Sequence, residues 1–165
     1  YHAFRLPIAI VRCGNIYGGG DLNWNRIVPG TIRSFLKEEQ PIIRSDGTFV
    51  RDYVYVKDVV QTYVHVAQGL EKQDFWGEAF NFSDESPKTV LEIVAIIQKL
   101  MRCGHIKPRI LNCAQGEIHS QHLSSVKLRK TLNWKSQFNL EQGLSETIEW
   151  YRLFLSRGEY KFVER

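Results

Sequence analysis

Residues 12–21, RCGNIYGGGD, form the first stretch of this chain whose composition could do chemistry. Glycines this dense let the backbone adopt unusual conformations or let a ligand approach it closely, and backbone N–H groups can then cradle phosphate oxygens. No Gly-Lys-Ser/Thr follows, so the stretch is not a P-loop, and no helix opens directly behind it, as a dinucleotide fingerprint requires. The composition alone therefore favours a turn.

An arginine inside a strand is a second candidate for chemistry. Arg51 lies within FVRDYV, which alternates and is rich in Val and Tyr, as strands are. An isolated arginine is more often a plain surface residue. A guanidinium held on a strand, however, offers a planar fork that fits phosphate oxygens. Arg51 is therefore a candidate for binding an anion.

Metal-binding residue types occur late in the chain, as Cys103, His105, Cys113, His119 and His122. Their spacings match no zinc pattern, so we expect no metal site. The three cysteines, with Cys13 the earliest, form no Cys-x-x-Cys pair. Free thiols in a reducing compartment are the better expectation, and we predict a cytoplasmic location.

The elements that must position these residues follow from hydrophobic periodicity. Helices are predicted at 26–38, 57–72, 89–101, 126–132 and 139–155, with caps at Asp58, Thr89, Ser124 or Ser125, and Asn139. Strands are predicted at 8–12, 41–44, 49–56, 78–82 and 108–113, with an extended stretch at 117–123 and a turn at 84–88. This order favours an α/β domain. The strand at 8–12 is expected to need neighbours that the chain does not supply.

Charge and composition narrow the partners. The net charge is +4 and the pI about 9.0, without the dense Lys/Arg pattern of a nucleic-acid-binding module. A nucleic-acid module stays an open alternative, but a small anionic ligand fits the charge equally well. No apolar stretch is long enough to span a membrane, and no signal peptide opens the chain. The chain begins without Met, and we expect it to be part of a longer protein.

Six motifs in order resemble one family. They are LPIAIVRCGNIYGGGD, RIVP, PIIRSDGTFVRDYVYVKDVV, GEAFNFSDE, LSSVKLRKTLNW and LEQGLSETIEWY. The chain resembles the C-terminal half of an extended short-chain dehydrogenase/reductase of the NAD-dependent epimerase/dehydratase family. The PIIR stretch and the Glu117-Ile-His pattern resemble the branch of CDP-glucose 4,6-dehydratases.

The resemblance implies a fold and a division of labour. Residues 1–165 would be the C-terminal part of an NAD(P)-binding Rossmann-fold protein, with its small mixed α/β substrate-binding domain. The chain has no Tyr-x-x-x-Lys pair, and we expect no catalytic residue in it and no activity from it alone. A homo-oligomeric parent enzyme would oxidise C4 of the sugar with NAD, eliminate water across C5 and C6, and return the hydride to C6. An NDP-sugar 4-epimerase is an equally open reaction within the family.

The family's binding positions map onto five residues. By this resemblance Asn15 and Arg51 hold the diphosphate of a nucleotide-diphosphate sugar, Val28 contacts the nucleotide, and Glu117 binds ribose hydroxyls. Cys13 would line the nicotinamide end of the cofactor. A neutral amide such as that of Asn15 can donate to a phosphate oxygen without burying another charge.

Two positions depart from the family pattern. Arg44 stands where related epimerases stack an aromatic residue on uracil, so Arg44 is expected to stack on the base or donate to cytosine acceptors. Ala114 stands where relatives place another diphosphate-binding arginine. Phosphate binding would then depend more on Arg51, or on an arginine such as Arg33.

Packing expectations concern four further residues. Trp134 and Trp150 are both expected to be largely buried and structural. Asp52 and Asp58 are expected to be structural as well, the first as a pairing acid and the second as a helix cap.

Overall fold

The computed structural model describes residues 1, 3–72 and 75–157, and these build an α/β fold, as predicted. The helices are α1 (Ile27–Leu36), α2 (Val56–Gly69), α3 (Val90–Met101), α4 (Val126–Leu132) and α5 (Leu140–Ser156). The strands are β1 (Ile10–Cys13), β2 (Asn15–Tyr17), β3 (Ile42–Ile43), β4 (Val50–Arg51), β5 (Tyr53–Tyr55), β6 (Ala79–Phe82), β7 (Lys88–Thr89), β8 (Arg109–Ile110) and β9 (Ser120–Gln121). The sequence after Gly158 is polar, which predicts a frayed end, and these residues lie outside the described part of the chain.

The strands pair in four small sheets. Three are parallel pairs, β1 with β6, β2 with β5 and β3 with β8. In the fourth, β4 lies between antiparallel β7 and parallel β9. The expectation that the first strand would find no neighbour in this chain is wrong, since β6 pairs with it along its whole length.

Gly14 marks the point where the chain passes from one sheet to the next. Its N–H donates to the Phe82 carbonyl beside β6, while the Asn15 N–H donates to the Asp52 carbonyl beside β5. A Cβ on Gly14 would come within 3.0 Å of that same Asp52 oxygen. Glycine lets the two backbones approach this closely without displacing Asp52, and Asn15 follows directly after the crossing.

The stretch 49–56, predicted as one strand, is two strands in different sheets. The break is at Asp52, which is 3% exposed and whose Oδ2 accepts a hydrogen bond from the Leu123 N–H at 2.7 Å. This carboxylate ties the segment before α4 to the break between β4 and β5. Asp52 is therefore structural, as predicted, although its described partner is a backbone amide rather than a charged side chain.

Two apolar clusters hold the layers together. The larger packs α1, α3 and α5 around Ile32, Ile97, Leu144 and the β-strand residue Tyr55. The smaller packs α2 and α4 against β1 and β6, with Phe80, Phe82, Leu128 and Trp134 at its centre. The site described below lies where α1 of the first cluster faces the short strands.

The glycines at 18–20 have structural roles. A Cβ at Gly18 would collide with the Val56 side chain, and one at Gly19 with the Trp150 indole. Gly20 has φ +92°, a conformation that L side chains rarely adopt. The run lets β2 turn close beneath α2 and α5, and these glycines do not line the clefts described below.

Helix starts agree with the sequence where a reciprocal cap was predicted. Thr89 and Asn139 both form capping boxes, with Glu92 and Gln142 respectively. Asp58 is not an N-cap, because α2 begins one turn earlier, at Val56. Ser125 precedes α4, but its hydroxyl bonds to the backbone of Ser83 instead of capping the helix.

Adjacent acidic residues at the end of β6 have opposite pKa shifts. Burial raises the pKa of Asp84 above its usual value of 3.8, reinforced by the charges of Asp58 and Asp52, although the Ser136 hydroxyl opposes this. Hydrogen bonds from Arg129, the Ser125 N–H and Ser124 lower the pKa of Glu85 below 4.5. The folded state therefore favours the protonated form of Asp84 and the ionised form of Glu85.

We expect Asp84→Asn to be more stable than wild type at neutral pH, with the two converging in acid, because the stability cost of ionising Asp84 appears as pH rises through its raised pKa. Glu85→Gln should be less stable at neutral pH, the deficit vanishing as pH falls through the lowered pKa of Glu85. Urea unfolding across this pH range measures both. Parallel pH profiles for the two variants would contradict the assignment.

No helix among the described residues is both long and apolar enough to cross a membrane.

Candidate functional site

Two adjoining clefts lie along α1. The larger has a volume of about 590 Å³ and is lined by residues that include Asn15, Arg33, Arg44, Arg51, Tyr53 and Glu117. The smaller has a volume of about 380 Å³ and is lined by residues that include Asn15, Tyr17, Asp21, Arg26, Val28 and Tyr53. Asn15, Arg26, Ile27 and Tyr53 line both, so the clefts meet there. Five of the six predicted site residues therefore line one or both clefts.

Arg51 is held firmly at the wall of the larger cleft. Its Nη1 donates to the carbonyls of Val50 and His119 at 2.8 and 3.3 Å, and its Nη2 lies 3.6 Å from Glu117 Oε2. The guanidinium also lies 5.7 Å from the centre of the Phe49 ring. These contacts restrain the guanidinium of Arg51 at the lining of the cleft.

Glu117 is close enough to Arg51 to pair with it, yet its side chain is 51% exposed. An ion pair this exposed adds little to stability. The carboxylate therefore remains available to hydroxyl groups at the rim of the cleft. The structure brings this pair together across 66 residues of sequence, through the parallel pairing of β4 with β9.

Asn15 stands where the two clefts meet. Its backbone is fixed by the hydrogen bond to Asp52 and by the pairing of β2 with β5, and the residue itself is exposed. The Gly14 crossing thus places an amide at the junction between Arg51 and α1, and an amide there can donate to an oxyanion.

Arg44, which follows β3 directly, also lines the larger cleft. Its Nη2 donates to the Asn25 carbonyl at 3.3 Å, and its own carbonyl accepts from the N–H groups of Cys113 and Ala114. The side chain is exposed. Arg44 and the Ala114 position are therefore neighbours, and Arg44 can present its planar face to a ligand.

The larger cleft is electrostatically positive. Four arginines line it, at 26, 33, 44 and 51, against two glutamates, at 39 and 117. The Arg33 guanidinium lies over the Trp24 ring, 5.0 Å from its centre, an arrangement that holds a cation in place. Such a surface attracts an anionic ligand.

Val28 is 3% exposed and belongs to the larger apolar cluster, while also lining the smaller cleft. Cys13 lines neither cleft. It packs against the smaller apolar cluster, and burial raises the pKa of its thiol although a hydrogen bond with Tyr63 opposes this. Its predicted role at the cofactor stays a prediction.

The clefts are also lined by residues that the sequence did not single out, and two of these, Tyr53 and Thr31, carry hydroxyl groups without a described partner. Tyr53 lies two residues after Arg51, and on the single strand that the sequence predicts over 49–56 residues two apart would share a face. Thr31 lies three residues after Val28 on α1, a spacing that places both on one side of a helix. Both are buried, at 6% and 2% exposure, and both line the larger cleft.

Metal binding finds no support in the described part of the chain, where no three His, Cys, Asp or Glu side chains are placed to hold an ion. His105 lies beside Glu38, and His119 beside Thr48.

The known proteins that this chain resembles are named as enzymes that act on nucleotide sugars. A model of the "NAD dependent epimerase/dehydratase family" matches residues 1–81. CDP-glucose 4,6-dehydratase of Salmonella typhimurium is 30% identical over 96% of this chain and 45% of that enzyme. The chain spans about half the length of the curated relatives it matches.

Solved structures agree in fold but differ in reaction. The UDP-glucose 4-epimerase of Thermotoga maritima, solved with UDP-glucose, has a TM-score of 0.80 and 27% identity, covering 89% of this chain and 46% of that one. The dTDP-glucose 4,6-dehydratase of Bacillus anthracis, solved with NAD, has a TM-score of 0.79 and 26% identity, covering 93% of this chain and 47% of that one.

Proposed function

This chain belongs to the NAD-dependent epimerase/dehydratase family, and from that membership we propose that its larger cleft binds a nucleotide-diphosphate sugar. Residues 1–165 would be the substrate-side portion of an NAD-dependent nucleotide-sugar 4,6-dehydratase. The observation that carries the proposal is the set of four arginines around one cleft. A volume of about 590 Å³ is also within the usual range for small-molecule sites.

The diphosphate would lie between Arg51 and Asn15. Arg51 supplies charge and a bidentate fork, and Asn15 supplies a neutral donor at the junction of the clefts. Glu117, adjacent to Arg51 but still half exposed, would accept hydrogen bonds from ribose hydroxyls. Arg33, held against Trp24, would supply the second cation that Ala114 cannot.

The base would lie against Arg44, and we propose cytosine as that base. The exposed guanidinium of Arg44 can stack on a pyrimidine or donate to its acceptors. The similarity to the Salmonella CDP-glucose 4,6-dehydratase supports this choice.

The chain offers NAD a single candidate contact. Cys13 is the single cofactor candidate, and its thiol packs against the smaller apolar cluster instead of lining a cleft. When bound, NAD supplies the hydride acceptor and donor. We propose that polypeptide outside these residues holds most of it, in a cytoplasmic homo-oligomer, and that this chain binds and orients the sugar nucleotide.

A 4-epimerase is the second candidate, favoured by the similarity to the Thermotoga UDP-glucose 4-epimerase. Both reactions begin with hydride removal, so the binding residues serve either one. Product analysis of the full-length protein with CDP-glucose decides, since a dehydratase forms a 4-keto-6-deoxy sugar and an epimerase forms an epimer.

Arg51→Ala is expected to lower the binding affinities for CDP, UDP and pyrophosphate by the same factor, about 10- to 150-fold. All three ligands share the diphosphate, and a charge-assisted contact to it is worth about 1.5–3 kcal/mol. Arg44→Phe should reduce the ratio of the CDP affinity to the UDP affinity and leave the affinity for pyrophosphate unchanged. Calorimetric titration of the 165-residue chain measures all three.

Arg109→Ala is the matched control, since it removes an exposed arginine that does not line the cleft. It should leave the three affinities almost unchanged. Equal losses of all three in Arg44→Phe would make Arg44 a phosphate ligand. A wild-type chain that does not prefer CDP over UDP would contradict cytosine as the base. A wild-type chain that binds NAD at micromolar concentration would contradict the proposal that polypeptide outside these residues holds most of the cofactor.

A further inference from the structure

Tyr53 differs from the other buried tyrosines of the described residues. The hydroxyl of Tyr17 donates to the Leu140 carbonyl at 3.3 Å, and that of Tyr151 to the Asp21 carbonyl at 2.6 Å. The hydroxyl of Tyr55 donates to Glu146 at 2.6 Å. The Tyr53 hydroxyl is equally buried, but no described residue hydrogen-bonds to it.

Thr31 differs in the same way from other hydroxyl residues on helices. Thr62, Ser145 and Thr147 each donate to the carbonyl four residues earlier, at 2.6–2.8 Å. This bond is the usual way to satisfy a hydroxyl on a helix. The Thr31 hydroxyl is buried too, yet it makes no such bond within the described chain.

A buried polar group without a partner destabilises the fold, so native structures keep few of them, and functional sites are a common reason. Both of these hydroxyl residues line the larger cleft, on two of its walls, α1 and β5. Tyr53 also lines the smaller cleft, at the junction that it shares with Asn15. Two independent elements therefore each bring to one cavity a residue whose hydroxyl is unsatisfied.

The protonation state of Tyr53 fits a donor. Burial raises the pKa of its phenol to about 12, although the charge of Arg51 opposes this. At neutral pH the phenol therefore keeps its proton. A neutral donor beside a guanidinium is suited to an oxyanion and adds no charge repulsion.

We propose that the Tyr53 and Thr31 hydroxyls are hydrogen-bonding groups for the ligand of this cleft, with Tyr53 donating to a phosphoryl oxygen where the two clefts meet. The inference rests on the proposed function, because it takes the ligand to be a nucleotide diphosphate. Thr31 lines only the larger of the two clefts, and its hydroxyl would hydrogen-bond to a polar group on the nucleoside part of the ligand.

The test measures stability without ligand and affinity with it. Tyr53→Phe and Thr31→Val keep the shape and remove the hydroxyl. Neither should lower the urea midpoint of the ligand-free chain, because no bond within the protein is lost. Tyr53→Phe should lower the affinities for CDP and pyrophosphate about tenfold. Thr31→Val should lower the affinity for CDP several-fold and leave that for pyrophosphate unchanged.

Tyr55→Phe and Thr62→Val are the matched controls, because they remove hydroxyls that bond within the protein and lie outside both clefts. They should lower the urea midpoint and leave CDP affinity unchanged. Wild type that binds neither CDP nor pyrophosphate would overturn the proposed function. If wild type binds CDP and pyrophosphate and Tyr53→Phe binds them equally well, this inference alone is overturned. A lower urea midpoint of ligand-free Tyr53→Phe would overturn it too.

Discussion

Trp134→Ala is expected to lower the free energy of unfolding by about 3–5 kcal/mol, the usual cost of removing a large aromatic side chain from a packed core. Trp134 is 7% exposed, and its ring meets Phe82 edge-on with centroids 4.5 Å apart. Phe82 and Leu128 of the smaller apolar cluster are fully buried, so the indole belongs to a packed apolar core. Denaturant melts measure the loss.

Trp150→Ala is the matched comparison. The expectation that Trp150 is largely buried is wrong, because the residue is 37% exposed. Its ring stacks on Phe154 with centroids 4.9 Å apart, meets the Tyr151 ring edge-on at 5.0 Å and covers Gly19, and the remainder of the residue is open to solvent. We expect a loss of roughly half that of Trp134→Ala or less. Equal losses in the two variants would contradict this packing.

Asp58→Ala is expected to cost about 3–6 kcal/mol, because the carboxylate makes two hydrogen bonds each worth about 1.5–3 kcal/mol. Asp58 is 1% exposed, and its two oxygens accept from the backbone N–H groups of Gln137 and Phe138 at 2.9 and 3.2 Å. The variant would leave these two N–H groups without their acceptor and detach the segment before α5 from α2. Urea unfolding, followed by tryptophan fluorescence, measures the effect.

Asp46→Ala provides the control for Asp58. Its carboxylate also accepts from a backbone N–H, that of Thr48 at 2.8 Å, but in an exposed turn. Water can replace this acceptor, so the loss should be much smaller. If the two variants lose the same stability, the Asp58 bridge is not a core interaction.

Helices were predictable because their signals are local. The capping residues Thr89 and Asn139 and the periodic apolar faces behind them each lie within one or two turns of chain. The exception, Asp58, resembles an N-cap in sequence, but its carboxylate is taken by backbone groups 79 and 80 residues away. A distant partner of this kind leaves no local signal.

Strands were less predictable, because their bounds depend on partners that are distant in sequence. The stretch 49–56 has one continuous alternating pattern, yet Asp52 divides it because Leu123 supplies a hydrogen bond there. β7 was predicted as part of a turn, since two residues carry almost no periodicity and pair only because β4 is adjacent.

For the site, the sequence by itself determined the residue types and the family. The order of its motifs is enough to identify a member of the epimerase/dehydratase family, and five of the six predicted site residues line the clefts. Only the tertiary structure decided the pairing of Arg51 with Glu117, the placement of Cys13 away from the clefts, and the presence of Tyr53 and Thr31 within them. The physical reason is that a hydroxyl's hydrogen-bond partner, or the lack of one, depends on which distant elements pack together, and composition and spacing along the chain do not record that packing.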